Sequence, residues 1–109
     1  MKASKLEAYD SRQVALATVA RALGHPARIA ILEYLAKVNR CICGQIVDEL
    51  PLAQATVSQH LKELKAVGLI KGTVEGASVC YCLDAERWHE VKALFNDLIE
   101  RLDKGASCC

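Results

Sequence analysis

Hydrophobic residues in the first half of the chain recur at intervals of three and four positions, which is the spacing of one face of an α-helix. Residues 11–23 predict a first helix, and Gly24 ends it. A second helix is expected to begin at Pro26, because proline lacks the backbone N–H that would be unpaired in the first helical turn. The two predicted apolar faces contain Leu16, Val19, Ala20 and Leu23 in the first helix, and Ile29, Leu32, Leu35 and Ala36 in the second.

Two further helices are predicted directly after these. A short third helix begins near Cys43 and is ended by Pro51, since the residue before a proline avoids the helical region. A fourth helix follows Ala53, a poor N-cap residue, and Gly68 stands where a left-handed C-terminal cap is expected. The apolar positions are Ile42, Ile46, Val47 and Leu50 in the third helix, and Val57, Leu61, Leu64 and Val67 in the fourth.

Beyond Gly68 the pattern changes from the period of a helix to that of a β-strand. The runs LIKGTV and ASVCYCL predict a hairpin joined across Glu75 and Gly76, with glycine at a turn position that needs a positive φ. Side chains alternate along a strand, so the second run presents two faces. The buried face is expected to hold Val79, Tyr81 and Leu83, and the partly exposed face Cys80 and Cys82.

The helical period returns in a final helix of about 17 residues. Its broad apolar stripe consists of Val91, Leu94, Phe95, Leu98, Ile99 and Leu102. Residues 103–109, which include Cys108 and Cys109, are predicted to form a flexible tail. The chain is therefore expected to be mainly α with a β-hairpin wing, a winged helix-turn-helix in the order α-α-α-α-β-β-α.

Composition limits the class of protein. With 109 residues, of which 52% are hydrophobic, residues 1–109 are expected to form one domain. No apolar run approaches the roughly 18 residues of a membrane helix, so we expect a cytoplasmic protein with no membrane partner. The net charge of +1 gives no global indication of a polyanionic partner.

The predicted fold itself indicates a DNA partner. In a helix-turn-helix the second helix enters the major groove of double-stranded DNA while neighbouring elements contact phosphates. Residues 54–73 contain three lysines and one glutamate, so this region is locally basic, although its polar face could also be merely solvated. The candidate base-contacting residues are Gln54, Thr56, Ser58, Gln59 and His60, and the candidate phosphate-contacting residues are Lys62, Lys65 and Lys71.

The six cysteines form three close pairs, and none has the CxxC spacing of zinc ribbons or thioredoxin-like enzymes. In a reducing cytosol such thiols are metal ligands, redox switches or small buried hydrophobic residues. No cysteine has an accompanying histidine arrangement that indicates a nucleophile with its base, so an enzyme is not predicted. A structural or oxidation-prone role is favoured for Cys80 and Cys82.

The segments ALGHPARIAILEYL, LPLAQATVSQHLKELKAVGLIKG and EGASVCYCLD resemble the ArsR/SmtB family of metal- and metalloid-responsive repressors. The resemblance implies a homodimer built by the first and last helices, which binds an inverted-repeat operator and releases it when an inducer binds. The wide apolar stripe of the last helix independently favours a dimer.

The resemblance also implies a role for Cys41 and Cys43, which stand where arsenite- and cadmium-sensing relatives carry a Cys-x-Cys. Trivalent arsenic favours three thiolates, and the position that holds a third cysteine in some of these relatives is Ile46 here. Cys108 and Cys109 are therefore the candidates for the third sulfur. Arsenite is the expected inducer, and trivalent antimony would bind the same thiolates. Cadmium, lead, or a redox or persulfide switch without a metal remain alternatives, whereas zinc is not favoured because His89 is the only histidine of the last helix.

Overall fold

The computed structural model describes residues 7–43, 53–76 and 78–107. In these ranges the fold is the predicted mainly helical winged helix-turn-helix with a β-hairpin wing. The predicted third helix lies outside the described residues beyond Cys43. The elements are α1 (Ser11–Leu23), α2 (Pro26–Val38), β1 (Ile42–Cys43), α3 (Gln54–Ala66), β2 (Ile70–Glu75), β3 (Ser78–Leu83) and α4 (Ala85–Ala106).

Helix α1 has the predicted bounds, α2 begins at the predicted Pro26, and each helix begins with a side-chain cap. The carboxylate of Asp10 accepts a hydrogen bond of 2.7 Å from the N–H of Gln13, whose side chain accepts one of 3.0 Å from the N–H of Asp10. At the start of α2, Nδ1 of His25 accepts a hydrogen bond of 3.0 Å from the N–H of Ala27. These caps satisfy N–H groups that have no partner within the helix.

The predicted apolar faces are confirmed in part. Leu16, Val19, Leu32 and Leu35 are buried. Ala20 and Ala36 are exposed instead, and Ile29 is 38% exposed. In α1 the buried small residue is Ala22, one position before Leu23, which is only partly buried against the core.

Helix α3 begins at Gln54 after Ala53, which makes no side-chain cap, as predicted. It ends in a glycine cap. Gly68 has φ +81°, its N–H donates to the carbonyl of Lys65 at 3.0 Å, and the N–H of Leu69 donates to the carbonyl of Leu64 at 3.1 Å. This pair of bonds is the Schellman arrangement, and it places the buried Leu69 against the end of α3.

The wing belongs to a sheet of three strands in the described residues, with the order β1-β3-β2 and antiparallel pairing throughout. The predicted turn is confirmed, since Gly76 has φ +62°. Strand β1 was not predicted. Ile42 was expected at the start of a helix, but it is extended, 2% exposed and paired with Tyr81.

The predicted faces of β3 are partly wrong. Cys80 was expected to be partly exposed, but it is only 3% exposed, because β1 runs alongside and places Cys43 opposite it. Val79 was expected to be buried, but it is 37% exposed, because it pairs with Val74 near the tip of the wing, beyond the core. Tyr81 and Leu83 pack against the core as predicted.

Helix α4 is longer than the prediction. It runs for 22 residues, so residues 103–106, which were assigned to the flexible tail, are helical. Its start is tied to the end of α3: the indole Nε1 of Trp88 donates to the carbonyl of Leu69 at 2.9 Å, and Nε of Arg87 donates to the carbonyl of Val67 at 3.2 Å. Val91 is buried in the core.

The glycine cap of α3 yields a stability prediction. Gly68→Ala should lower the free energy of unfolding by about 1–2 kcal/mol, because an L-residue is strained at this positive φ. Gly105→Ala is the matched control, since Gly105 is helical and a Cβ there meets nothing within 4 Å. It should leave stability unchanged or slightly raised. Urea unfolding of both variants checks this, and equal losses would contradict it.

Candidate nucleic-acid interface and cysteine cluster

Helix α3 has one buried and one exposed face. Val57, Leu61 and Leu64 are at most 3% exposed and hold the helix in the core. Most of the candidate DNA-contacting residues lie on the opposite, exposed face, and the side chain of Gln54 is outside what the structure describes. The exposed members on α3 are Thr56, Ser58, Gln59, Lys62 and Lys65. Lys71 is exposed on β2 of the wing, so the helix and the wing both present lysines to solvent.

Contacts of Gln59 and Lys65 limit the orientations of their side chains on this exposed face of α3. Nε2 of Gln59 donates a hydrogen bond of 3.1 Å to a carboxylate oxygen of Glu63, which orients the amide along the helix. A Cβ placed on Gly72 would lie 3.3 Å from Nζ of Lys65, so the lysine side chain passes closely over the wing at its glycine. The ammonium group of Lys65 is therefore held where α3 meets the wing.

His60 was predicted to face DNA, and this is contradicted by its burial. It is 7% exposed, its Nδ1 accepts a hydrogen bond of 3.0 Å from Nε of Arg28, and its ring lies 4.4 Å from that of His25. Burial lowers the pKa of His60, and the charges of His25 and Arg28 lower it further, against a smaller opposing effect of Glu63. His60 is therefore a neutral acceptor that ties α3 to α2. Its position three residues after Val57 and four before Leu64 was the signal that could have revealed it.

The cysteines form a cluster that the sequence interpretation missed. Cys41 and Cys82 are joined by a disulfide, with their Cα atoms 4.3 Å apart. Cys43 is paired with Cys80 in the register of β1 and β3, and Cys80 is also disulfide-bonded. The pairing therefore brings two Cys-x-Cys segments side by side. Their equal spacing was a usable signal, because two extended segments with residues i and i+2 on one face can align in an antiparallel pair.

Cys108 and Cys109 lie outside the described residues, as does the side chain of Cys43. Within residues 7–43, 53–76 and 78–107, no group of three or more His, Cys, Asp and Glu side chains is arranged to hold a metal ion. On α4, Asp97 contacts two arginines instead, with Arg101 at 2.9 Å and Arg12 at 3.5 Å.

A cleft of about 340 Å³ adjoins the disulfide. Cys41 and Cys82 form one side of it, and Leu35, Asn39, Arg40 and Trp88 contribute to the other walls. Cys41 is exposed and Cys82 is half-buried, so the pair is open to small solutes. None of the helices in the described ranges has the length and apolarity needed to cross a membrane.

The burial of His60 predicts a pH dependence of stability. Its folded-state pKa lies below the usual value of 6.5, so the unfolded chain binds more protons and stability should fall as pH drops below that value. His60→Asn keeps an acceptor for Arg28 but does not titrate. Urea unfolding between about pH 5 and pH 8 should therefore show a smaller loss in this variant. His89→Asn, at an exposed position on α4, is the control and should retain the wild-type loss. An unchanged pH dependence in His60→Asn would contradict the assignment.

Comparisons with known proteins agree on one family for this chain. Residues 25–71 match the model of the bacterial regulatory proteins of the arsR family. The chain is 37% identical over 83 residues to an uncharacterized HTH-type transcriptional regulator of Methanocaldococcus jannaschii, covering 75% of this chain and 92% of that protein. It is 48% identical over 63 residues to the HTH-type transcriptional repressor SmtB of Mycobacterium tuberculosis, covering 58% of this chain and 46% of that one.

The fold and the sequence also match a solved structure, the NMR structure of the cadmium metal-sensor CMTR from Mycobacterium tuberculosis. The TM-score is 0.54 at 40% identity, covering 65% of this chain and 73% of that chain. The similar proteins are transcriptional regulators and not enzymes. The exposed polar face of α3, the wing and these similarities lead to one conclusion: the chain is a helix-turn-helix transcriptional regulator that belongs to the arsR family.

Proposed function

We propose that this regulator is a cytoplasmic repressor that leaves its operator when trivalent arsenic, as arsenite, binds cysteine thiolates that include Cys41 and Cys43. The observation that carries the proposal is the position of this Cys-x-Cys. It directly precedes the segment that leads to α3, and it pairs with the wing strand β3. A ligand bound there is next to the wing strand β3 and precedes α3 in the chain.

The proposed DNA interface is the exposed face of α3 together with the wing. Gln59 and the hydroxyl groups of Thr56 and Ser58 have the donors and acceptors that read base edges in the major groove. Lys62, Lys65 and Lys71 can neutralise phosphates. An apolar core beneath α3 supports this assignment, because it leaves the polar face available for DNA.

We further propose a homodimer on an inverted-repeat operator. Ile99 and Leu102 on α4 are 58% and 62% exposed, and Tyr9, just before α1, is 58% exposed. The contact between Arg12 and Asp97 holds α1 beside α4, so these apolar residues belong to neighbouring elements. A second copy that covers them would give the two-fold symmetry that an inverted repeat requires.

The inducer chemistry follows from the ligands. Arsenite exchanges its hydroxyl groups for thiolates with loss of water, and it is most stable with three sulfurs. Cys108 and Cys109 are the candidates from the sequence for the third. Cadmium and lead are thiophilic alternatives that the same cysteines would accept. The similarity to a cadmium metal-sensor favours keeping cadmium as the second candidate. The Cys41–Cys82 disulfide favours a thiol redox or persulfide switch as the third.

Operator release tests the proposal. A DNA duplex selected in vitro by the reduced wild-type protein is titrated in the presence of arsenite, cadmium chloride or a persulfide donor, with fluorescence anisotropy as the readout. Arsenite should weaken wild-type binding at least tenfold, or about 1.4 kcal/mol. The Cys41→Ser/Cys43→Ser variant should bind the duplex with wild-type affinity, and arsenite should not change that affinity. If arsenite still releases the duplex from this double variant, Cys41 and Cys43 are not the arsenite site. If only the persulfide donor releases the wild-type protein, the inducer is a redox signal and not arsenite.

The DNA interface has its own test. Lys62→Gln should weaken binding to all duplexes alike and reduce the slope of log affinity against log salt by about one per subunit, hence about two for a dimer. Lys92→Gln removes the same charge from an exposed position on α4 and should leave the slope unchanged. Equal slopes for Lys62→Gln and wild type would show that Lys62 does not contact phosphate.

A further inference from the structure

We propose that Cys82 of the wing is a ligand of the inducer, and that Cys41 and Cys82 together form a dithiol site for trivalent arsenic or another thiophilic ion. The proposal deepens the proposed function and rests on it for the effect on the operator. It assigns the wing a direct part in sensing. It also provides a second sulfur beside Cys41 from within the folded domain.

The backbone places these two residues together without rearrangement. The register pairs Ile42 with Tyr81 and Cys43 with Cys80, and continuing it by one residue brings Cys41 opposite Cys82. Their Cα atoms are 4.3 Å apart, which is typical of directly opposite residues in an antiparallel pair. Side chains of such residues emerge on the same face of the sheet. Both sulfurs therefore lie on one side of the β1–β3 pair.

The same backbone separation suits an ion held between two thiolates. Bonds of about 2.3 Å to one ion place the two sulfurs about 3.8 Å apart at tetrahedral angles, and about 3.3 Å apart at the angles near 90° of pyramidal trivalent arsenic. Cβ atoms of directly opposite residues are about 4.5–5.5 Å apart, so rotation about the two Cα–Cβ bonds is enough to reach this distance. Reduction of the disulfide followed by ion binding then requires no change in strand pairing.

The pair is also accessible. The adjoining cleft of about 340 Å³ is roughly ten times the volume that one water molecule occupies in the liquid, so it admits a solute of the size of arsenite. Cys41 is exposed at its edge, and Cys82 is half-buried inside. The apolar walls at Leu35 and Trp88 limit the water around a bound ion. An ion at this position has an entry path and a partly enclosed site.

The chemistry balances without an added oxidant. The disulfide is first reduced by exchange with two thiols of a small thiol reductant, which become a disulfide themselves and leave two protonated cysteines. Arsenite then forms two As–S bonds as two As–O bonds break, and the thiol protons leave in two water molecules. Arsenic remains trivalent throughout. Its remaining position holds a hydroxyl group or the thiolate of Cys43, so in this site Cys82 takes the place that the proposed function gives to a tail cysteine.

Coupling to DNA follows from the place of Cys82 in the sheet. Cys82 pairs on its other side with Lys71, the candidate phosphate contact of the wing. Cys41 begins the segment that leads to α3. An ion between Cys41 and Cys82 thus adds a bridge between the wing and the segment that precedes α3 in the chain. Such a link is the physical requirement for a ligand that favours one geometry of the DNA-binding surface over another.

The first test measures ligand affinity. Reduced wild-type protein, Cys82→Ser and Cys108→Ser/Cys109→Ser are titrated with arsenite, and binding is followed by the ultraviolet absorption of arsenic–thiolate bonds. Cys82→Ser should bind arsenite at least tenfold more weakly, whereas the tail variant should change less than twofold. Unchanged binding by Cys82→Ser, or a large loss in the tail variant alone, would overturn the proposal. Normal operator binding without arsenite confirms that Cys82→Ser is folded.

A second measurement needs no variant, and so holds even where Cys82→Ser fails to fold. Phenylarsine oxide, which joins two thiols, is bound to the reduced wild type before digestion with trypsin and mass spectrometry. Cleavage after Arg40, Lys62, Lys71 and Arg87 gives the peptides 41–62 and 72–87. The proposal expects these two peptides joined through arsenic, with fragmentation placing the bond at Cys82. Arsenic within 41–62 alone, or between it and the tail peptide 105–109, would overturn it.

The two proposals fail in different ways. If arsenic joins Cys41 to Cys82 but arsenite leaves operator binding unchanged, the ligand site stands and the proposed function is wrong. If arsenite releases the operator equally from wild type and Cys82→Ser, the proposed function stands and the role of Cys82 is wrong. Both results come from the same protein preparations.

Discussion

Strand β3 is hydrogen-bonded on both of its edges, to β1 on one side and to β2 on the other, and the functional arrangement depends on this double pairing. Strand β2 carries Lys71, and β1 opens the segment that leads to α3. Because a paired strand resists sliding, the wing and the approach to α3 are held as one unit. Cys41 and Cys82 lie opposite each other where β1 pairs with β3. A change at the Cys41–Cys82 pair therefore reaches β2 and Lys71 of the wing through backbone hydrogen bonds rather than through flexible side chains.

The far end of α3 is fixed by burial and by backbone capping. Each fully buried Leu or Val contributes about 1.5–3 kcal/mol, and Val57, Leu64 and Leu69 are each 0% exposed. An exposed contact such as that of Gln59 with Glu63 contributes only about 0.5–1.5 kcal/mol. Apolar packing therefore sets the position of α3. A coupling free energy of about 1–3 kcal/mol between ligand binding and DNA binding is too small to unpack this core. It is large enough to shift the equilibrium between two geometries of the DNA-binding surface.

Features with a local cause could be predicted from the sequence, whereas features that need a distant partner could not. The bounds of α1, the start of α2 at Pro26 and the positive φ of Gly68 and Gly76 follow from residues within one turn of each position. The strand at Ile42 depends on a partner some forty residues later, and its apolar pattern fits a helix equally well. The burial of Cys80 depends on the same unpredicted pairing. The prediction that His60 faces DNA was wrong because it relied on the polar character of histidine and not on the position of this residue on the helix face of Val57 and Leu64.

The Cys41–Cys82 disulfide and an ion bound between the same sulfurs are mutually exclusive, so the proposed sensor can hold only one of them at a time. A disulfide leaves neither sulfur as a thiolate, so the oxidised protein has no dithiol to offer at this position. Both states tie Cys41 to Cys82, but the sulfurs must separate to about 3.3–3.8 Å to hold an ion, while in the disulfide they are directly bonded. Oxidation and ion binding thus act on one structural coordinate, the distance between the two sulfurs, which rotation about the Cα–Cβ bonds changes without altering the strand pairing. The reduced dithiol, which imposes neither separation, is the state from which both signals start.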